Sequence, residues 1–95
     1  MTTQTTLMAV GTAAATSTAI LLGKDDVLKV GIFSATEGDQ LLSASFAVFE
    51  KTPGARNAIA RLDGNAKSTL IYGPGSFEIA RPALTGPGYG IYTEV

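Results

Sequence analysis

Arg61-Leu62-Asp63-Gly64-Asn65-Ala66-Lys67-Ser68-Thr69-Leu70-Ile71-Tyr72-Gly73-Pro74-Gly75-Ser76-Phe77-Glu78-Ile79-Ala80-Arg81-Pro82 places an alternating stretch between two turn signals. Asp63-Gly64 and Gly73-Pro74-Gly75 each reverse the chain, because Asp and Gly tolerate the backbone angles that tight turns need. Between them Ser68, Leu70 and Tyr72 share one face, and after the second turn Phe77, Ile79 and Arg81 share another, the period of two of a half-buried strand. Read locally, the segment is a three-strand meander running from Asn57–Leu62 through Lys67–Tyr72 to Ser76–Ala80.

Upstream, Pro53-Gly54 predicts a type II reversal, since Pro fixes the first turn dihedral and Gly accepts the positive one. The strand before it, Ala44–Lys51, sets Phe46 and Val48 on one face and Phe49 on the other. Helical spacing of Leu42, Phe46 and Phe49 competes there, but β-branched content and short length favour a strand. In Asp26–Phe33 the stripe Leu28, Val30, Ile32 is the predicted core face, and Gly31 in mid-strand marks a bulge or a close backbone approach. Ser34–Gln40 is a polar loop whose tip, Thr36–Asp39, is a candidate contact loop. Downstream, Tyr89 and Ile91 face one way and Tyr92 the other, and the apolar end at Val95 suggests a packed C-terminus.

With turn signals roughly every eight to twelve residues, the pattern is all-β: a small β-sandwich or jelly-roll-like barrel of about seven or eight short antiparallel strands. Residues 18–95 form the expected single β-domain. Residues 1–17, rich in Thr and Ala, read as a flexible N-terminal arm in which Leu7, Met8 and Val10 would stay in water unless a neighbour covered them.

Composition narrows the chemistry. Seven basic and eight acidic residues lie scattered through 95, with no basic stripe to neutralise phosphates, so nucleic acid is not the expected partner. The chain has no Cys and no His, which removes thiolate chemistry, the commonest general base and the commonest zinc ligands. Neither a membrane span nor a secretory signal is expected: the apolar run after Leu7 is interrupted by Gly11, Thr12, Thr16, Ser17 and Thr18, and the first basic residue, Lys24, follows it. Four Phe, three Tyr and no Trp make a light core for one domain, so self-association is expected to add buried surface.

The remaining motifs read as structure. Gly73-Pro74-Gly75 and Gly86-Pro87-Gly88 lack the Lys-Ser/Thr and helix start of a phosphate loop. Asp25-Asp26 lacks the alternate spacing of a calcium loop. A carboxylate-only hydrolase would have to use Asp39 with Glu50, and an enzyme is not expected. No cofactor is implied. Arg56, Arg61 and Arg81 form surface ion pairs in the simplest reading; the functional one makes Arg56 and Arg81, with Tyr89 and Tyr92, anchors of a protein interface.

At Tyr72-Gly73-Pro74-Gly75-Ser76-Phe77-Glu78-Ile79-Ala80-Arg81-Pro82, followed by Gly90-Ile91-Tyr92, the chain resembles small structural proteins of tailed bacteriophages. The recurring pattern there is a Gly-Pro-Gly turn, an aromatic-centred strand ending in Arg-Pro, and a short closing strand. Val30-Gly31-Ile32-Phe33, after the Leu21-Leu22-Gly23-Lys24 turn, extends the resemblance over roughly residues 20–95. It implies a virion component assembled in the host cytoplasm, of the capsid decoration or cement type. Its partners would be the major capsid protein and copies of itself, a trimer being favoured over a dimer. Leu7, Met8, Val10, Arg56, Arg81, Tyr89 and Tyr92 are the expected interface residues. A head-fibre, neck or tail accessory protein, or a carbohydrate-binding β-sandwich, is the alternative.

Overall fold

The computed structural model describes residues 3–34, 45–85 and 88–95. It is an all-β sandwich of nine strands in two antiparallel sheets, without a helix among the described residues. The strands are β1 (Gln4–Gly11), β2 (Ala15–Thr16), β3 (Ile20–Leu22), β4 (Val27–Ser34), β5 (Phe46–Thr52), β6 (Ala55–Leu62), β7 (Ser68–Tyr72), β8 (Gly75–Arg81) and β9 (Tyr89–Glu94). The first sheet has the order β1-β9-β4-β7; the second has β2-β8-β5-β6, with β3 also beside β8.

Alternation decides which residues fill the space between the sheets. Val30 and Ile32 on β4, Phe46 and Val48 on β5, Phe77 and Ile79 on β8, and Tyr89 and Ile91 on β9 are all buried in one cluster. On β4, β5 and β8 these are the faces predicted from period two, and Leu28 packs against the same cluster as expected. The Pro53-Gly54 hairpin is also as predicted: Thr52 pairs with Ala55, and Gly54 has a φ of 89°, which an L side chain rarely adopts.

The meander is not what forms. β6 and β8 lie in the second sheet, whereas β7 between them lies in the first, paired with β4 from Val27 opposite Tyr72 to Gly31 opposite Ser68. Asp63 and Ala66 exchange both backbone bonds (3.0 and 3.2 Å) and close the turn, but the strands part there to different sheets instead of pairing as a hairpin. The Asp63 Oδ1 accepts from the amides of Asn65 (2.9 Å) and Ala66 (3.0 Å), so the turn satisfies its own donors without a ladder. The chain crosses back at Gly73, where a Cβ would collide with the carbonyl oxygen of Gly23. On β7 it is Ile71 that is buried, while Leu70 and Tyr72 face outward.

Residues 1–17 differ most from expectation. Gln4–Gly11 is an edge strand of the first sheet, paired antiparallel with β9 from Gln4 opposite Glu94 onward, and Ala15–Thr16 pairs with β8. The free edge of β9 supplies backbone partners that a detached arm would lack, and Leu7 and Met8 lie against the core. Ser17, between β2 and β3, ties that segment to β8 of the same sheet: its amide donates to Ile79 O at 2.8 Å, and the Ile79 amide donates to its Oγ at 3.0 Å. At the other end Val95 is exposed, so the expected packing of its side chain does not occur.

Candidate interaction surfaces

Arg81 shares the inward face of β8 with Phe77 and Ile79, and period two therefore carries a cation into the sandwich. Its Nε donates to Ala13 O at 2.8 Å, and one terminal nitrogen donates to Ala9 O and Tyr89 O, each at 2.9 Å. A planar fork of donors suits this task, because it reaches carbonyls on β1, on the β1–β2 link and on β9 at once. Gly11 keeps the space open: a Cβ there would sit 3.0 Å from the guanidinium. Arg81 and Tyr89 were expected as surface anchors. Both are buried within the chain, and their work is internal.

The outer face of the first sheet carries the other notable arrangement. Gly31 on β4 lies opposite Tyr92 on β9, and Phe33 on β4 lies opposite Gly90 on β9. A Cβ on Gly31 would be 2.5 Å from the Tyr92 ring, and one on Gly90 would be 2.9 Å from the Phe33 ring. Each ring thus lies over the glycine of the facing strand, which explains Gly31 as a close approach and not a bulge. The rings meet edge to face, with centroids 6.2 Å apart. Lys29 Nζ stands 5.9 Å from the Tyr92 centroid and 3.9 Å from Glu94 Oε1, and Gln4 Nε2 donates to the same carboxylate oxygen at 3.0 Å. Beside the rings is an open hollow of about 410 Å³ lined by Gln4, Thr5, Thr6, Phe33 and Tyr92. Farther along this face, at the β4–β7 side, Val27, Leu70 and Tyr72 are 48%, 50% and 62% exposed.

Across the second sheet Arg56 lies 4.2 Å above the Phe49 ring and pairs with Glu78 Oε1 at 2.9 Å. Phe49 and Glu78 are opposite each other on β5 and β8, so the three side chains form one cross-strand stack. Such a half-exposed pair contributes about 0.5 kcal/mol, and the Arg stem adds by covering the ring. The simple ion-pair reading of Arg56 therefore describes its geometry.

The expected interface residues do not form one patch. Tyr92 is on the outer face of the first sheet, Arg56 on that of the second, Leu7 and Met8 are half-buried on β1, and Val10 is exposed near its end. Missed in the sequence were Leu70, Tyr72 and Val27 as a neighbouring apolar set. Period two puts Leu70 and Tyr72 on one face of β7 but does not say that this face is the outward one. Asp26 Oδ2 accepts from the Gly23 amide at 2.7 Å, which gives it a turn-closing role, and no group of three or more potential metal-binding side chains occurs among the described residues. Thr36–Asp39, and with it the Asp39 half of the Asp39–Glu50 pair, lies outside the described residues.

No family model matches this sequence, and comparisons with curated proteins and with solved structures find no match to it.

Proposed function

We propose that the chain is a structural protein that works by covering a surface: a tailed-bacteriophage capsid decoration protein bound to the major capsid lattice. The observation that carries this reading is the contiguous set Val27, Leu70 and Tyr72, each exposed over about half of its surface or more on the outer face of a sheet. Large apolar side chains side by side in water mark surfaces that a partner covers. They sit on a slab whose extents are 37 × 36 × 21 Å, a shape that lays much area on a flat support for little thickness. The Gly-Pro-Gly to Arg-Pro resemblance supplies the class of partner. Self-association accompanies lattice binding in this reading.

Quantitative mass spectrometry of particles carrying the protein tests the proposal, with hundreds of copies per head as the expected result. A handful of copies would favour the head-fibre, neck or tail alternative, and absence from the particle would overturn a virion role.

The hollow beside Tyr92 favours a second reading, a carbohydrate-binding module. Its walls combine ring surface with the hydroxyls of Thr5 and Thr6 and the amide of Gln4, the mixture a neutral sugar ring requires. Under this reading, N-acetylglucosamine, galactose and glucose titrated at millimolar concentration shift the NMR signals of Thr6 and Tyr92 for at least one sugar, and Tyr92→Ala removes the shifts. Unchanged spectra with all three would end it.

A further inference from the structure

A sandwich with two open sheets has exposed edges, and edges left regular pair with other strands unless something blunts them. In the second sheet, β2 and β3 have only two and three residues, and β6 carries Arg56 and Arg61 and a bulge at Ile59 opposite the Val48–Phe49 step. In the first sheet, β1 slips register between Thr6 and Met8 and again between Met8 and Gly11. β7 has no such device. Ser68-Thr69-Leu70-Ile71-Tyr72 is uncharged, contains no Pro, and keeps unbroken register against β4 over its whole length.

The direction of its backbone groups follows from the bonds that bracket it. The Ile32 amide donates to Lys67 O at 2.9 Å, and the Gly73 amide donates to Asp26 O at 2.8 Å. Antiparallel pairs alternate between bonded and non-bonded, so the odd-numbered residues bond toward β4, and Ser68, Leu70 and Tyr72 point their N–H and C=O groups away from the sheet. Those same residues present their side chains on the outer face beside Val27.

We propose that β7 is the dimerisation strand of this protein, pairing antiparallel with β7 of a second copy about a two-fold axis at Leu70. That axis sets Leu70 opposite Leu70 of the second copy and Ser68 opposite Tyr72 in both directions, each pair exchanging both of its N–H···O bonds. The three outward residues are thus self-complementary. The occupant is a second copy because the strand carries no charge to repel its own image, and the nearest charge on that face, Lys29, is held 3.9 Å from Glu94. The two apolar sets then merge into one stripe across a continuous sheet. This favours a dimer over the trimer expected from sequence, and it stands independently of the capsid reading.

Sedimentation velocity across a range of concentrations reads the self-association directly. The wild-type chain is expected to form a dimer as concentration rises, and Leu70→Lys, a change at a half-exposed side chain, is expected to lose it while keeping the wild-type circular dichroism. Because the chain has no cysteine, Leu70→Cys adds a positional test. Facing Cα atoms about 5.5 Å apart fall within disulfide range, so mild oxidation should link two copies at position 70. Leu21→Cys, at a 77% exposed position on the other sheet, should not link. A chain that stays monomeric at all concentrations, a trimer that survives Leu70→Lys, or equal linking at position 21 would overturn the proposal.

Discussion

Arg81→Met is expected to destabilise the protein by about 2–4 kcal/mol and to loosen β1 before the rest of the sandwich unfolds. Met matches the apolar stem but supplies no donors. The carbonyls of Ala9, Ala13 and Tyr89 then lose a charged partner. A hydrogen bond from a charged donor contributes about 1.5–3 kcal/mol. The sum is reduced because Ala9 and Ala13 are exposed and their carbonyls can return to water. The variant also no longer bears the desolvation cost of an ion, which further limits the loss. What has no substitute is the connection itself, since Arg81 on β8 joins β1, the β1–β2 link and β9. Urea unfolding should show the lower midpoint, and amide exchange should show earlier loss of protection at Gln4–Gly11 than at β5 or β8. Arg81→Lys, with donors at a single point, should recover only part of the difference. Wild-type stability in Arg81→Met together with unchanged exchange in β1 would show that the guanidinium does not hold the strand.

Much of the sandwich is legible in the sequence because burial on one face imposes period two. β4, β5, β8 and β9 each carry that period with large residues, and the faces assigned to Val30, Phe46 and Ile79 are those found buried. The failures have a common cause. A turn residue announces a reversal but not which sheet receives the next strand. Asp63-Gly64 looks the same whether β7 returns beside β6 or crosses to β4, and the crossing is settled by the apolar stripe of β4, far away in sequence. The polarity of β7 is hidden for a related reason, since Leu70 and Tyr72 together outweigh Ile71 in apolar bulk, and only the register against β4, with Ile71 opposite Leu28, sends Ile71 inward. β1 is illegible because Thr-rich, weakly apolar sequence forms an edge strand only when a neighbour offers its backbone. Arg81 lies beyond local reading altogether. An Arg on an apolar face contradicts the pattern until the three carbonyls that receive it are assembled from distant segments.

Phe46→Ala and Phe49→Ala separate the two faces of one strand. Phe46 is fully buried opposite Leu62, whereas Phe49, three residues on, lies on the outer side of the second sheet under Arg56. Truncating Phe46 removes ring contacts and leaves a void that a small, close-packed core cannot collapse around, so the expected cost is about 3–4 kcal/mol. For a domain of this size that lowers the melting temperature by about 15–25 °C. Truncating Phe49 exposes little that was dry and costs about 1 kcal/mol, the cover of the Arg56 stem and its cation–π contact being the main loss. Chemical denaturation of both variants checks the contrast, which is firmer than either value because the two changes delete the same atoms. Equal costs would place both rings in comparable surroundings and contradict the alternation of β5. A larger cost for Phe49 would mean that its outer face is covered in solution, which would move the principal contact surface from the first sheet to the second.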